Sequence, residues 1–369
     1  MIRLDATSQP DALRIGMLAP PWLAVPPHEY GGTELVIDVL SRGLQQLGHE
    51  VILFTIGESQ CAVPKTWLFE TSEPDRMGTT IIELRHVSAG YEALEGCDIV
   101  HDHTLAGLFL SQLQAACPVV TTNHGPFTED LNDLFRRAPS VPIIAISRDQ
   151  ASRAPCDIPV AAVIHHGLDT TRYAYHAVGG DYLVSLGRMN PTKGIHIAID
   201  VARRSGRRLL IAAKMREPGE KQYFDQVIRP ELGDDIEFVG EVGHAAKVEL
   251  LGNAHAVVNP IQWPEPFGLV MTESLACGTP VVATPRGAAP EIVEHGKTGF
   301  LGGTVDELVA GVSAVDDLDR SDCRRSVERF FSMERMARDH CEFYRSVVDR
   351  STAVDLRAHE SHSEAGLEV

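Results

Sequence analysis

The chain has no paired cysteines, no excess of positive charge, no long apolar run and few aromatic side chains, and each absence closes off a class of protein. Its 7 cysteines (Cys61, Cys97, Cys117, Cys156, Cys277, Cys323, Cys341) are scattered, without zinc or redox spacing, which predicts reduced thiols in a cytoplasmic protein. With 33 Lys and Arg against 51 Asp and Glu, the net charge of -18 excludes a general attraction to nucleic acid or to an anionic membrane surface. The first apolar run, Arg14 to Ala19, is too short for a signal-peptide core or a membrane span. Aromatics make up only 6%, yet 44% of residues are hydrophobic and 23% charged, so the chain is globular and soluble by composition. No short-period repeat or low-complexity tract is present.

At 369 residues the chain exceeds one ordinary core, which predicts two domains and a cleft between them. Short apolar runs without polar alternation recur between helical patterns: Arg14 to Leu18, Val51 to Thr55, Ile81 to Leu84, Asp98 to His101, Pro118 to Thr122, Ile143 to Ile146 and Ala161 to Ile164. A second series runs through Tyr182 to Leu186, Leu209 to Ala212, Ile236 to Val239, Ala256 to Val258 and Pro280 to Ala283. Such runs predict parallel strands covered on both faces, in an α/β architecture used twice. The aperiodic stretch from Leu168 to Asp181 predicts the linker. The expected units are 1–172, 173–330, a helix over 331–350 packing back toward the first domain, with Ser332 as its cap, and a polar, acidic, disordered tail over 351–369.

Ligands of open parallel sheets bind where strands end and the next loops begin, so the strand-end loops are the places to look for chemistry. Tyr30-Gly31-Gly32-Thr33-Glu34 opens a helix and leaves amides free for an anion or a hydroxyl, a tight turn being the competing reading. Asn123-His124-Gly125 puts an imidazole at a strand end, either as a structural hydrogen-bonding group or in the cleft. His101-Asp102-His103 has the same placement but no third metal ligand, and His165-His166 reads as structural. Gly187-Arg188-Met189-Asn190-Pro191-Thr192-Lys193 carries two cations suited to phosphate, or to carboxylates of the protein itself. Neither the three-glycine dinucleotide fingerprint nor a Walker loop is present.

The densest signal is Pro264-Glu265-Pro266-Phe267-Gly268-Leu269-Val270-Met271-Thr272-Glu273, followed by Ala276-Cys277-Gly278-Thr279-Pro280-Val281. Glu265 lies just outside a helix mouth and Glu273 inside the helix, too far apart in local geometry for a close acid-base pair. The amides of Gly268, Leu269 and Val270 sit at the positive end of that helix, where a diphosphate is stabilised. Flanking carboxylates can accept hydrogen bonds from the hydroxyls of sugars and riboses.

This Glu265 to Glu273 stretch, with Gly287-Ala288-Ala289-Pro290-Glu291 and Gly296-Lys297-Thr298-Gly299 downstream, resembles the signature of glycosyltransferase family 4, retaining enzymes of GT-B fold. The resemblance is strong from about Gly187 to Leu301. It implies two doubly wound Rossmann-like domains facing across a deep cleft, and transfer of a sugar from a nucleoside diphosphate sugar to a hydroxyl acceptor. It further implies that Arg188 and Lys193 hold the diphosphate, Glu273 the ribose, Glu265 the donor sugar, and Phe267, Gly268 and Leu269 the helix-mouth amides. Gly32 and His124 match the first-domain glycine loop and active-site histidine, and the loop after Phe238-Val239-Gly240, with Val239, matches the base pocket. No metal or other cofactor is expected. Asp317-Leu318-Asp319 has the Asp-x-Asp form of metal-dependent transferases but reads as a solvated turn. Arg136-Arg137 is too short a basic run for membrane attachment, which favours a soluble acceptor. The alternatives are a sugar-nucleotide epimerase or hydrolase, and a nucleotide-sugar-binding subunit without turnover.

Overall fold

Strands such as Ile15-Gly16-Met17-Leu18 and Ala256-Val257-Val258-Asn259 bury every one of these residues, because helices cover both faces of their sheets. In the computed structural model the described residues are 12–29, 31–72 and 76–365, with side chains described as far as Thr352. The first sheet contains β1 (Arg14–Leu18), β2 (Glu50–Thr55), β3 (Lys65–Trp67), β4 (Ile99–Asp102), β5 (Val119–Thr122), β6 (Ile143–Ala145) and β7 (Val160–Val163). Its order is β3-β2-β1-β4-β5-β6-β7, all parallel. The second contains β8 (Tyr182–Arg188), β9 (Arg208–Lys214), β10 (Ile236–Gly240), β11 (Ala256–Asn259), β12 (Val281–Ala283) and β13 (Gly299–Leu301). Its order, β10-β9-β8-β11-β12-β13, is also parallel throughout.

Both sheets reverse their winding once, between β1 and β4 and between β8 and β11. Crevices for ligands open at such points, at the carboxyl ends of the strands. The two crevices face each other, and the site described below lies where they meet.

One expected strand is a helix. Ile81 to Leu84 lies within Thr80–Ala93, where Ile82, His86, Val87, Gly90 and Tyr91 are buried at helical spacing while Ile81 is exposed. The three- and four-residue period outweighs the short apolar run. Two short strands, β3 and β13, carry too little apolar sequence to be seen in advance.

The C-terminal helix Met333–Ala365 returns to the first domain, burying Met333, Met336, Ala337, Cys341, Tyr344 and Val347 in its core. Ser332 caps it, its hydroxyl accepting the Arg335 amide at 3.3 Å. The helix extends to Ala365, into the stretch 351–369 read from sequence as a polar tail, and no glycine or proline interrupts the sequence between Met333 and Ala365. Residues 366–369 lie outside the described residues. At the crossing, the Leu168 amide donates to Phe331 O and the Met333 amide to Leu168 O, each at 2.8 Å. Glu291, from the second domain, accepts the amides of Arg148 (2.9 Å) and Asp149 (2.8 Å) and the His165 Nε2 (2.8 Å) of the first. Burial alone would raise the Glu291 carboxyl, but His165 and the two amides outweigh it and hold it below the usual range.

Candidate active site

A cleft of about 510 Å³ lies between the two sheets. The loop after β8 forms one wall. Asn190 Oδ1 accepts the Thr192 amide at 2.9 Å, shaping the turn Pro191–Lys193, and Thr192 O accepts the Gln262 amide at 2.8 Å, which ties this turn to the loop after β11. Lys193 and Glu265, which are 72 residues apart, thereby form an ion pair inside the cleft. The other carboxylate oxygen of Glu265, Oε2, is buried with no partner, as is the indole N–H of Trp263, which also lines the cleft. A hydroxyl group suits either, since it can donate to a carboxylate oxygen and accept from an indole N–H.

Arg188 leaves the end of β8 and is held by two acids from beyond β9. Its Nε donates to Glu220 at 2.9 Å and one terminal nitrogen to Glu217 at 2.8 Å. Glu220 is 2% exposed and also accepts the amides of Arg216 (2.9 Å) and Glu217 (3.2 Å). Burial would raise its carboxyl, but those amides and Arg188 hold it below the ordinary value. Arg188 is therefore oriented before any ligand arrives.

Gly268 caps the helix Leu269–Ala276 in the left-handed region, with φ 91°. A Cβ there would press on Met271 Cε at 2.7 Å and stand 3.7 Å from the Glu265 carboxyl carbon, so glycine keeps the helix mouth open beside Glu265. Glu273 is one turn inside the helix, 3% exposed, and accepts Tyr173 Oη at 3.0 Å together with the Lys247 ammonium. Each acid has its own lysine, so the two act at different places along the cleft.

Gly287 sits behind Glu265. Its φ is 58°, and a Cβ would land on the Glu265 carbonyl oxygen and amide nitrogen, while the Ala288 amide donates to Glu265 O at 3.0 Å. Gly287→Ala is expected to push the Glu265 loop out of place. Displacement of about 1 Å costs on the order of 10²-fold in kcat, and the left-handed backbone adds about 1–2 kcal/mol of destabilisation. Turnover and thermal melting of this variant check both effects; wild-type kcat would show that the loop is not positioned this way.

Of the residues expected from sequence, Gly32, His124, Arg188, Lys193, Glu265, Phe267, Gly268, Leu269 and Glu273 all line this one cleft. Val239 does not. It is exposed on β10 at a register shift between Phe238 and Gly240, and Glu241 and Val242 reach the cleft instead. The extra residue of a bulge turns its side chain away. His166, read as structural, lines the cleft beside His124, with ring centroids 5.4 Å apart. His101 is buried, bonded to Tyr344 Oη at 2.6 Å and Thr122 Oγ1 at 2.8 Å. Asp319 caps a helix through the Ser321 amide at 2.8 Å. Among the described residues no group of three or more His, Cys, Asp or Glu is placed to hold a metal ion. Sequence reasoning missed Glu217, Glu220, Lys214, Lys247, Tyr173 and Trp263. Lys214, at the end of β9, and Trp263, in the loop after β11, carried a signal that the strand-end rule could have found.

Residues 176–323 match the family model described as glycosyl transferases group 1, and residues 30–172 match that described as glycosyltransferase family 4. The chain is 34% identical over 161 residues to glycogen synthase of Mycobacterium tuberculosis; the match takes in 41% of this chain and only 38% of that protein's length. It is 27% identical over 391 residues to phosphatidyl-myo-inositol mannosyltransferase of Mycolicibacterium smegmatis, covering 97% of this chain and 96% of the relative. Among solved structures, AviGT4, a glycosyltransferase involved in avilamycin A biosynthesis, superposes with a TM-score of 0.72 at 27% identity, covering 91% of this chain and 98% of its own.

Proposed function

We propose, for a chain that belongs to glycosyltransferase family 4 and has its GT-B architecture, that it transfers a sugar from a nucleoside diphosphate sugar to a hydroxyl acceptor, with retention at the anomeric carbon and without a metal. The observation that carries this reading is the unpartnered Glu265 Oε2, set between Lys193 and the helix mouth at Gly268. A sugar hydroxyl fits the open oxygen, and the diphosphate it carries fits the cation and the amides next to it.

Breaking the bond between the anomeric carbon and the phosphate oxygen places positive charge on the sugar and negative charge on the leaving diphosphate. Arg188, Lys193 and the amides of Gly268, Leu269 and Val270 attract that diphosphate more strongly as its charge grows, and this differential stabilisation is what lowers the barrier. Glu217, Glu220 and Glu265 pair with the two cations, so these side chains are ordered in advance. Glu273 with Lys247 would hold the ribose, and Glu241 and Val242, which line the same cleft, would flank the base. Retention would follow from front-face attack, in which the leaving phosphate oxygen takes the acceptor's proton, the route the family resemblance implies. Among the described residues no helix is long and apolar enough to cross a membrane. Seven unpaired thiols, five of them buried, fit a cytoplasmic setting.

A thermal-shift series with uridine, guanosine and adenosine diphosphate sugars, with and without chelator, tests the reading. One base should raise the melting midpoint, by the equivalent of about 2.7 kcal/mol at a hundredfold excess over Kd, and chelator should leave that shift intact. Glu273→Ala should abolish most of it. No shift with any donor would overturn the assignment; binding without transfer to any acceptor would leave a nucleotide-sugar-binding subunit.

A further inference from the structure

His103 follows β4, and its Nδ1 lies 2.9 Å from Nε2 of His124. Both rings are neutral: burial first, and neighbouring histidines second, pull His124 down to about 4 and His103 well below the usual value. Between two neutral imidazoles at this distance one nitrogen donates and the other accepts, so the tautomers of the pair are linked.

Two arrangements satisfy that bond, and the far side of His103 chooses between them. Its Nε2 is buried with no partner. The surrounding groups do not supply one: the His101 ring, 4.0 Å away by centroid, is committed to Tyr344 and Thr122, His340 Nδ1 bonds Met336 O, and His166 stacks beyond His124. A proton on His103 Nε2 would be an orphaned buried donor, whereas a proton on Nδ1 leaves only a bare lone pair there. Orphaned buried N–H groups are the rarer and costlier omission. The proton between the rings therefore belongs to His103, and His124 accepts it at Nε2. A neutral His124 must then carry its own proton on Nδ1, which has no hydrogen-bond partner among the described residues, on a side chain that lines the cleft.

We infer that His103 is a positioning residue that fixes the tautomer of His124, so that His124 presents an N–H donor, and not a basic lone pair, to a hydroxyl or phosphate oxygen bound in the cleft. What His124 acts on rests on the transferase reading; the tautomer does not. Its consequence is that His124 cannot take the acceptor's proton in the neutral state, and orients an oxygen instead.

Nitrogen-15 NMR of the full-length protein labelled at histidine, without substrate, reads the tautomer directly, with His124 assigned through His124→Phe. The expected signature between pH 8 and 6 is a protonated Nδ1 and a lone-pair Nε2 on His124. The reverse tautomer, or a His124 that titrates near 6.5, would overturn the inference. His103→Asn, whose amide can donate in place of Nδ1, should preserve the signature and hold kcat within about threefold, while His103→Leu should lose the signature and about tenfold in kcat, the scale of one hydrogen bond, at a donor KM within about twofold. A Leu variant with the signature intact would also count against it. Because the signature needs no substrate, its absence in an active transferase defeats the role of His103 alone, and its presence in a protein that transfers no sugar defeats the transferase reading alone.

Discussion

Arg188→Ala combined with Lys193→Ala is expected to lower kcat for glycosyl transfer by on the order of 10³-fold or more, with a smaller rise in donor KM. Removing a single preorganised charge-stabilising donor typically costs about 10²–10³ in turnover, and these two groups bear on the same leaving diphosphate. The loss should fall on kcat because their attraction grows as the bond to the sugar breaks. The paired acids complicate the fold. Without Arg188, the buried Glu220 keeps two backbone amides but loses its cation, and a stranded buried charge is strongly destabilising. Arg188→Lys and Lys193→Gln separate the two effects, since the first keeps a charge beside Glu220 and the second leaves the Arg188–Glu220 pair untouched. Steady-state kinetics on all four proteins, alongside their melting midpoints, check the expectation; a double variant that folds and retains kcat within about tenfold of wild type would remove these cations from the reaction.

Acid is expected to unfold this protein early. His86, His124 and His340 are each pulled down to about 4 by burial, and His101, His103 and His166 lie well below 6.5 for the same primary reason. For a histidine depressed in the folded state, the stabilisation is complete above the unfolded value near 6.5 and is lost as pH falls below it, because the unfolded chain takes up protons that the fold refuses. Two carboxyls oppose this: burial raises Glu34 to about 7 and Asp102 to about 6, so both favour the fold as pH falls. Six groups against two decide the sign. Each pH unit is worth about 1.4 kcal/mol per proton of difference, so a fall from pH 7 to 4.5 removes several kcal/mol, enough to lower the melting midpoint by about 10 °C or more. Equal midpoints at the two pH values would mean that these rings are hydrated.

Much of this was legible in the sequence because apolar runs of four or five residues between helices mark buried parallel strands, and because the strand-end rule converts a one-dimensional position into a place in the cleft. Arg188, Lys193, His124 and Glu265 were found that way. What holds them was not. Glu217 and Glu220 follow Arg188 by about thirty residues, Lys247 meets Glu273 across 26, and His103 meets His124 across 21. Such partners are set by which strands are neighbours, and no local spacing encodes that. Of the two readings offered for the cations, the structure shows the pairing with carboxylates of the protein, which holds Arg188 and Lys193 at the cleft. Ile81 to Leu84 is helical because three apolar residues in four fit a strand or one turn of helix equally, and Val239 stands off the cleft because a bulge shifts the register by one residue without a mark in the sequence.

The hydrogen bonds joining Leu168 to Phe331 and Met333 fasten the outgoing and returning passages of the chain side by side. Two passages joined at one spot, beside the bonds that Glu291 makes to Arg148, Asp149 and His165, give the lobes a tied back edge. At the opposite rim Arg216 of one lobe grips Glu29 of the other, so the mouth is latched in front by an exposed charge pair while the rear is laced by backbone.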